Sequence, residues 1–492
     1  MTPPLTLIDH PFYLAGRWER SPQTYDVLSP YDGTVIGSTS HATEAQLEEA
    51  IAKATEAFQR TRKLPSYVRS QILLDIAEGI ARRKEDLARA MTLEAGKPIK
   101  DSRAEVDRSL LTFRTAAEEA HRIGGELMPL DFIPKAEGRI GITRRVPLGP
   151  ILGITPFNFP LNLVAHKVAP AIAAGNTIVV KVAAKTPLTM LIACEIMEAT
   201  ALPKGALSVL TVDPSLHERL VTDERFKALS FTGSAAVGWQ LKAKAGKKKV
   251  TLELGGNAGV IVDRDADLDW SVRRVAYGGF TFAGQSCISV QRCFVHEAIF
   301  ESWTRRFLDA VKQIRLGDPM DPNTDLGPMI EPKVVTRTHA WVEEALRDGA
   351  TVLAGGKARG NLFEPTVLTN VAPTSPICRQ EVFAPLVILF PFRDVRDAVA
   401  AVNDSAYGLQ AGIFTNSLSH AWYAFDELEV GGVLINDIPT WRIDPMPYGG
   451  VKDSGVGREG VKYAIEEMTE LRLMVVNPLH QAGAGPVGAG GS

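Results

Sequence analysis

Apolar residues recur every three to four positions along much of the first 120 residues, a spacing that predicts amphipathic helices. The first helix is expected to begin at Thr43, where Thr43-Glu44-Ala45-Gln46 forms a capping-box pattern, and to continue to Phe58. Three more helices are predicted over 66–82, 84–93 and 102–120. The first part of the chain is therefore expected to be rich in helices.

From residue 151 onward, short apolar runs alternate with helical stretches. Strands are predicted at 151–154, 177–180, 207–210, 259–262, 292–295 and 432–435, with helices near 271–283 and 297–314. Alternation of strand and helix is typical of parallel sheets that are covered by helices. The predicted fold class is α/β, with two Rossmann-like parallel-sheet domains.

Two further segments, 139–146 and 471–476, show strand-like alternation outside these series. Such isolated strands need an edge to pair with, which another subunit could supply. We therefore predict a small β arm for oligomerisation and a homodimer or homotetramer. The Gly- and Ala-rich residues 480–492 are expected to form a flexible tail.

Composition narrows the classes of protein and partner. A chain of 492 residues favours two or more domains, because a single hydrophobic core stops growing below that length. Its 54 Lys and Arg residues nearly balance 57 Asp and Glu, so neither nucleic acid nor a membrane is an expected partner. Four scattered cysteines without metal-binding spacing predict neither a disulfide framework nor a metal site.

Export and membrane insertion are not expected either. The N-terminus lacks a basic region followed by an apolar run and a cleavage site. The most apolar region, 147–180, is interrupted by Pro156, Pro160 and Pro170, so it does not predict a spanning helix. Together with the few cysteines, these features predict a cytoplasmic protein.

Cys287 lies among small and polar residues, in the segment Gly284-Gln285-Ser286-Cys287-Ile288-Ser289. A nucleophilic thiolate needs an open approach and nearby donors, which this setting offers. A free cysteine is nevertheless more often a small buried hydrophobe. On this segment alone, a packing role is the better interpretation.

Three other segments carry candidate chemistry, each with a simpler structural explanation. Glu253 precedes a glycine pair that lets backbone approach a ligand, but an ion pair at a strand end is the better interpretation of this segment alone. Asn158 follows the strand predicted at 151–154, where parallel sheets bind ligands, and it could donate to an oxyanion or to its own turn. Gly233-Ser234 precedes a predicted helix and could bind a phosphate or serve as a plain cap.

In type, order and spacing, these segments resemble those of the aldehyde dehydrogenase superfamily from about residue 10 to about residue 478. Glu253 and Cys287 stand 34 residues apart, as the family's base and nucleophile do, and Asn158 resembles its oxyanion-hole Asn. Within the superfamily, 156–167 and 448–455 are similar to lactaldehyde and phosphonoacetaldehyde dehydrogenases.

The resemblance implies that NAD or NADP binds to the first parallel sheet. Lys181 resembles the lysine that reaches the adenosine ribose, and Glu381 and Phe383 resemble contacts of the nicotinamide ribose. The implied cofactor contacts are Thr155, Pro156, Phe157, Lys181, Ala183, Ala184, Gly233, Ser234, Leu254, Gly255, Glu381 and Phe383. The corresponding domains are 1–122 with 148–250 for dinucleotide binding, 251–465 for catalysis, and 123–147 with 466–479 for the oligomerisation arm.

The implied reaction is the oxidation of a small aldehyde to a carboxylic acid. Cys287 would attack the aldehyde, Asn158 and the Cys287 N–H would hold the oxyanion, and Glu253 would activate the water that hydrolyses the thioester. One alternative is an enzyme that passes the acyl group to coenzyme A, which the presence of Glu253 disfavours. The other is a catalytically inactive structural protein with the same fold.

The sequence departs from the family at the position of Ala184, where many NAD-preferring members carry Glu. A carboxylate there would repel the 2′-phosphate of NADP, and Ala184 followed by Lys185 removes that repulsion. We therefore predict that NADP is accepted alongside NAD.

The substrate is less clearly indicated. The candidate contacts are Phe159, Ser286, Ile288 and Arg442. Arg442 could receive an anionic tail of the substrate, or it could pair with Asp444 or a neighbouring backbone carbonyl. Arg108 and Arg114 are weaker candidates, because an ion-paired or solvated helix face explains them more simply.

Overall fold

The computed structural model describes residues 8–477. Residues 478–479 of the predicted arm and the predicted tail at 480–492 lie outside the described residues, as do residues 1–7. The helices are α1 (Glu44–Thr61), α2 (Ser66–Arg82), α3 (Lys84–Ala95), α4 (Ile99–Arg122), α5 (Asn162–Ala174), α6 (Leu188–Glu198), α7 (His217–Thr222), α8 (Ala235–Lys244), α9 (Leu268–Phe280), α10 (Phe300–Lys312), α11 (Pro332–Arg347), α12 (Pro376–Arg379), α13 (Val395–Asn403), α14 (Leu418–Glu427) and α15 (Val461–Glu467).

The strands are β1 (Ile8–Asp9), β2 (Phe12–Leu14), β3 (Arg17–Glu19), β4 (Thr24–Leu28), β5 (Val35–Ala42), β6 (Leu127–Pro129), β7 (Ile140–Pro147), β8 (Pro150–Ile154), β9 (Thr177–Lys181), β10 (Leu207–Val212), β11 (Ala228–Thr232), β12 (Lys249–Glu253), β13 (Gly259–Val262), β14 (Arg292–His296), β15 (Thr351–Ala354), β16 (Ala358–Arg359), β17 (Leu362–Phe363), β18 (Thr366–Thr369), β19 (Leu386–Phe392), β20 (Tyr407–Gly408), β21 (Gln410–Phe414), β22 (Gly432–Ile435), β23 (Val451–Lys452), β24 (Gly455–Val456) and β25 (Thr469–Val476).

The first large sheet has a parallel core with the strand order β5-β10-β9-β8-β11-β12. Strand β8 has the next strand along the chain, β9, on one side and the later strand β11 on the other, so the winding direction changes there. The shorter strands β2, β4 and β24 add antiparallel pairs at the periphery. Open sheets of this kind bind ligands outside the carboxyl ends of the strands at such a switch point.

The second large sheet has the order β15-β18-β19-β14-β13-β21-β22. All its neighbouring pairs are parallel except β15 with β18. Strands β13 and β21 are buried along their whole length, as expected for a parallel sheet that is covered on both faces. The predicted α/β class with two Rossmann-like sheets and a small β arm is confirmed. The residue boundaries proposed for the domains stay a prediction.

Most of the predicted elements are present, and residues 315–431 contain further helices and strands, α11 to α14 and β15 to β21, that the sequence did not predict. Helix α1 begins at a complete capping box, in which Thr43 and Gln46 each accept from the other's backbone N–H. Residues 8–42, for which no strand was expected, form five short strands along one side of the first sheet. The helix expected near 271–283 ends at Phe280, because Phe282 and Ala283 adopt left-handed backbone conformations with φ of 47° and 53°.

A separate three-stranded sheet has the order β25-β7-β6. Strand β25 pairs with β7 along its full length, from Thr469 opposite Pro147 to Val476 opposite Ile140. In the described part of the chain, the other edge of β25 has no partner strand. Seven of the eight β25 residues are exposed, so the sheet presents apolar side chains without a covering layer.

The two largest apolar cores lie beside the two large sheets. The larger joins helices α1 to α6 to the strands of the first sheet, and the second joins α9, α10 and α11 to the second sheet. Between residues 8 and 477, no helix combines the length and the apolar character needed to span a membrane.

Candidate active site

Four parallel strands of the first sheet end at the same edge, and predicted cofactor contacts follow each of them. Thr155, Pro156 and Phe157 follow β8, and Lys181 is the last residue of β9, with Ala183 and Ala184 just beyond it. Gly233 and Ser234 follow β11, and Leu254 and Gly255 follow β12. The structure therefore brings these ten residues of the predicted set to the crevice where such sheets bind nucleotides.

The start of helix α8 leaves hydrogen-bond donors free. Ser234 is the N-cap residue, but its side chain makes no capping hydrogen bond to the helix. Gly233 packs its backbone against the Phe231 ring, where a Cβ would come within 2.6 Å of the ring. A helix N-terminus with free N–H groups favours a phosphate.

Lys181 and Lys185 differ in their surroundings. Within residues 8–477, the Lys181 ammonium has no hydrogen-bond or ion-pair partner from the protein, and burial lowers its pKa. The ammonium of Lys185 instead lies 2.8 Å from a carboxylate oxygen of Glu331. Lys181 is thus available to a ligand, whereas Lys185 is already paired.

Glu381 and Phe383 reach the same edge from the segment between α12 and β19. The Glu381 carboxylate accepts the Gly256 N–H at 3.0 Å, and burial raises the pKa of Glu381 to about 7. The Phe383 ring packs edge-on against Phe157, with ring centroids 6.0 Å apart. A Cβ at position 255 would lie only 2.5 Å from a Glu381 carboxylate oxygen, so a side chain there would displace the Glu381 carboxylate.

Cys287 is positioned by a turn that glycine and a buried glutamine make possible. The left-handed residues end at Gly284, where a Cβ would lie 2.1 Å from the Ala384 carbonyl oxygen. Gln285 is fully buried, and its carbonyl side-chain oxygen accepts the Ile330 N–H at 2.8 Å. Gly256 packs against the Cys287 carbonyl so closely that a Cβ would lie 2.2 Å away. These contacts fix the backbone that carries the thiol.

Asn158 lies beside this turn. Its side-chain N–H donates to the Gln285 carbonyl at 3.0 Å, two residues before Cys287. That bond uses one of the two amide hydrogens and sets the orientation of the other. Asn158 is 1 % exposed, and its side-chain oxygen has no partner among the described residues. The second N–H is therefore available to an oxygen that develops negative charge.

Glu253 is the last residue of β12 and is 2 % exposed. One of its carboxylate oxygens lies 3.8 Å from the Cys287 sulfur, and the other has no partner among the described residues. Burial raises the pKa of Glu253 above its usual range, and the nearby Glu459 carboxylate raises it further. Burial and the carboxylate of Glu253 also raise the pKa of the Cys287 thiol.

A cavity of about 130 Å³ opens onto the thiol. All four predicted substrate contacts line it, together with the proposed nucleophile and base: Phe159, Ser286, Ile288, Arg442, Cys287 and Glu253. Arg108 of α4 also lines the cavity, whereas Arg114 of the same helix is exposed outside it. The structure therefore brings the predicted substrate residues together.

Arg442 is paired, though not with the residue that the sequence suggested. It lies 3.2 Å from a Glu459 carboxylate oxygen and is 3.7 Å from the centre of the Tyr448 ring. Asp444 instead accepts from Arg108 at 2.8 Å and from Asn162 at 3.1 Å. With 6 % of its side chain exposed, Arg442 forms part of the cavity wall.

Several buried charged residues at this site were missed by sequence reasoning. Lys167 donates to Glu459 at 3.1 Å and to Thr232 at 2.8 Å. Burial alone would raise the pKa of Glu459, but the positive charges of Lys167 and Arg442 outweigh burial, so this pKa is lowered. Lys97 forms a buried ion pair with Glu105. In the sequence they are single charged residues, which are normally exposed to solvent.

Chemically, the arrangement places a thiol, a carboxyl group and an amide donor at the inner end of a cavity and beside a nucleotide-binding edge. Among residues 8–477, no three His, Cys, Asp or Glu side chains lie together in a way that could hold a metal ion. Residues 18–474 match the sequence profile of the Aldehyde dehydrogenase family. The chain belongs to the aldehyde dehydrogenase family.

Relatives of the chain agree with this assignment. It is 44 % identical to 3-sulfolactaldehyde dehydrogenase of Priestia aryabhattai over 466 residues, which cover 94 % of this chain and 97 % of the relative. It is 39 % identical to lactaldehyde dehydrogenase of Methanocaldococcus jannaschii over 470 residues, which cover 94 % of this chain and 100 % of the relative. The predicted superfamily is confirmed, and the similarity to lactaldehyde dehydrogenases agrees with the predicted subgroup.

Solved structures give the same result. Aldehyde dehydrogenase 21 of Physcomitrella patens, in complex with the reaction product succinate, has a TM-score of 0.95 and 43 % identity, covering 96 % of this chain and 99 % of that chain. Glyceraldehyde-3-phosphate dehydrogenase GapN of Methanocaldococcus jannaschii, complexed with NADP, has a TM-score of 0.89 and 39 % identity, with coverage of 93 % and 99 %.

The protein is thus an NAD(P)-dependent enzyme that oxidises an aldehyde to a carboxylic acid. The residues at the sheet edge fit such a cofactor. Lys181 offers an unpaired ammonium within residues 8–477, and the α8 N-terminus offers N–H groups that no side chain caps. The glycine at position 255 keeps the backbone beside Glu381 free of a side chain.

Proposed function

We propose that Cys287 is the nucleophile, Glu253 the general base and Asn158 the oxyanion donor of an aldehyde dehydrogenase that hydrolyses its thioester intermediate. The observation that carries this proposal is the 3.8 Å contact between the Cys287 sulfur and the Glu253 carboxylate at the wall of the cavity. This contact places the nucleophilic sulfur beside a carboxylate base, at the cavity where a substrate would bind.

In the first half of the reaction, the Glu253 carboxylate accepts the thiol proton and the Cys287 sulfur attacks the carbonyl carbon of the aldehyde. The resulting oxyanion accepts hydrogen bonds from the Asn158 amide and the Cys287 N–H. Bound NAD or NADP supplies the acceptor for the hydride that leaves this carbon. Loss of the hydride leaves an acyl group on the Cys287 sulfur as a thioester.

Before the second half, Glu253 releases the thiol proton to solvent and becomes a carboxylate again. This carboxylate then takes a proton from a water molecule, whose oxygen attacks the thioester carbon. Collapse of the tetrahedral intermediate releases the carboxylic acid and returns the proton to the Cys287 sulfur. Glu253 is what distinguishes this route from transfer to coenzyme A, because an acyl acceptor that brings its own thiol needs no activated water.

Product analysis tests this proposal. The enzyme is incubated with an aldehyde and NAD or NADP, with and without coenzyme A. Free carboxylic acid in both reactions, in an amount equal to the reduced cofactor, supports the proposal. Acyl-coenzyme A as the main product would contradict it, and so would a folded protein that binds the cofactor but reduces none of it.

We further propose that the aldehyde carries an anionic group and that both NAD and NADP are accepted. Two arginines, Arg108 and Arg442, line the cavity wall. The side chain of Arg108 is 31 % exposed. Guanidinium groups bind carboxylate, sulfonate and phosphate oxygens well. Sulfolactaldehyde and glyceraldehyde 3-phosphate, after which two of the similar proteins are named, are both anionic.

We propose that the enzyme is a cytoplasmic homodimer or homotetramer. The support for an oligomer is the apolar sheet of β25, β7 and β6, in which Leu471 and Leu473 are more than half exposed. Strand β22 forms an edge of the second sheet and could accept a strand from another copy. Light scattering on the purified enzyme tests the oligomer, and a monomer at all concentrations would contradict it. Cell fractionation tests the location.

A further inference from the structure

Lys97 is buried in the wall of the active-site cavity, although lysine is rarely buried. It lies between helices α3 and α4 and is 1 % exposed. Its ammonium forms an ion pair with Glu105, whose side chain is also buried. A lysine in such a place must have its charge balanced, and the Glu105 carboxylate provides that balance.

The ammonium also contacts two aromatic rings. It lies 3.8 Å from the centre of the Phe159 ring and 4.3 Å from the centre of the Phe282 ring. The two rings pack edge to face, with centroids 5.9 Å apart. A cation at this distance from an aromatic face is attracted by it, and more strongly where water is excluded.

The two rings belong to the two loops that carry the proposed chemistry. Phe159 follows Asn158 directly, and Phe282 lies five residues before Cys287 in the left-handed turn. The direct bond between these loops is the one from Asn158 to the Gln285 carbonyl, and the Lys97 ammonium adds a second connection.

Glu105 completes the arrangement. Its other carboxylate oxygen accepts the backbone N–H groups of Leu161 and Asn162, at 3.0 Å and 3.1 Å. The Asn158 loop is therefore held at its carboxyl end by Glu105 and at Phe159 by Lys97. The Lys97 backbone follows Gly96, which packs against Pro328 so closely that a Cβ would lie 2.6 Å from that ring.

We propose that Lys97 is a positioning residue, which holds the Asn158 loop and the Cys287 loop together through the faces of Phe159 and Phe282. The inference rests on the proposed roles of Asn158 and Cys287. Lys97 acts by setting the separation between the oxyanion donor and the nucleophile, and it takes no part in proton transfer.

The test compares variants that remove the cation without leaving a buried charge unpaired. Lys97→Met alone would leave the buried Glu105 carboxylate without its ion-pair partner. The informative variant is therefore Lys97→Met combined with Glu105→Gln. The Gln side-chain oxygen still accepts the two backbone N–H groups. Lys97→Arg keeps the cation, and Lys100→Met, which removes a surface ion pair three residues away, is the matched control.

The rate of the first hydride transfer is measured by stopped flow, and the thermal midpoint and cofactor binding are measured in parallel. The double variant is expected to keep its fold and cofactor affinity and to lose the first-turnover rate at least about tenfold, because a displacement of about 1 Å can cost on the order of 100-fold. Its KM for aldehyde should change by less than about threefold, since the positioned groups act mainly on the transition state. Lys97→Arg should retain a larger part of the rate than the double variant.

A folded double variant with a first-turnover rate within about twofold of the wild type would overturn the inference. Cofactor binding that is lost in parallel with the rate would overturn it too, because it would indicate general damage. If the double variant does not fold, Lys97→Arg decides: a rate loss of more than about tenfold contradicts the role of the cation, and a rate closer to the wild type supports it. Cys287→Ser is measured alongside: if it is active, the proposed function has failed; if it is inactive while the double variant is fully active, only this inference has failed.

Discussion

The Cys287 sulfur and the nearest Glu253 carboxylate oxygen lie 3.8 Å apart, although the two residues are 34 positions apart in sequence. Glu253 ends a strand of the first sheet, and Cys287 follows the left-handed turn after α9. The chemistry proposed here depends on this contact, because the same carboxylate must serve first the thiol and then the water.

Replacement of Glu253 should separate the two halves of the reaction. Glu253→Gln removes the base that accepts the thiol proton and activates water. We expect an initial burst of reduced cofactor that is slower than in the wild type, because the thiol proton must then leave to solvent, followed by turnover at least about 100-fold slower than the wild type. Rapid-mixing absorbance at the wavelength of the reduced cofactor measures both phases. A variant with the full steady-state rate would remove Glu253 from the hydrolytic step.

The raised pKa of Glu253 predicts how the rate depends on pH. Its protonated form cannot accept a proton, so kcat/KM should rise as pH increases through a pKa well above the ordinary value of about 4.3. The stability effect has the opposite direction: the contribution of Glu253 is present below its unfolded pKa and is lost as pH rises through the raised folded pKa.

Two measurements check these directions. The rising limb of the pH–rate profile should be absent from the slow phase of Glu253→Gln. The thermal midpoint of Glu253→Gln should fall less between pH 6 and pH 9 than that of the wild type. A wild-type profile that is flat over this range would contradict the assignment of the base.

An anionic substrate should depend on Arg108. Arg108→Met removes a charged donor from the cavity wall, and we expect kcat/KM for a sulfonated or carboxylated aldehyde to fall about 10- to 100-fold, as for loss of a charged hydrogen bond worth about 1.5–3 kcal/mol. A neutral aldehyde of similar length should be affected less than about threefold. Arg114→Met, on the exposed face of the same helix, is the control and should change neither. Equal losses for both aldehydes would contradict a role in anion binding.

Cofactor choice should respond to position 184. The wild type is expected to use NADP with kcat/KM within a thousandfold of that for NAD. Ala184→Glu should lower the ratio of kcat/KM with NADP to kcat/KM with NAD at least about tenfold, because its carboxylate repels the 2′-phosphate of NADP. Lys185→Met should leave the ratio nearly unchanged, because Glu331 already holds the Lys185 ammonium. NADP turnover more than a thousandfold below that with NAD in the wild type would contradict this prediction.

The sequence predicted the repeating parts of the fold better than the irregular ones. Helix α2 occupies the predicted residues, 66–82, because its apolar face follows a regular period. The left-handed turn at Phe282 and Ala283 has no such period, and it leads into Gly284, where a Cβ would lie 2.1 Å from the Ala384 carbonyl oxygen. The strands before residue 43 were also missed: β1, β2 and β3 have only two or three residues, which are too few to show alternation.

The candidate site could be predicted where motifs carry it. Cys287, Glu253 and Asn158 stand in recognisable local sequences, and the structure places them together. Lys97 and Glu105 could not be found in this way, because their role depends on contacts with loops that are distant in the sequence. Single charged residues are normally exposed, and only the fold shows that these two are buried.

The central claim is that Cys287 carries the acyl group between oxidation and hydrolysis, and trapping this intermediate tests it most directly. Glu253→Gln is mixed with an aldehyde and cofactor, quenched with acid after one turnover, digested and examined by mass spectrometry. The account predicts an acyl adduct on the peptide that contains Cys287, in an amount close to the burst, and no adduct in the matched Cys287→Ser protein. Reduced cofactor produced in a full burst without an adduct on Cys287 would contradict it.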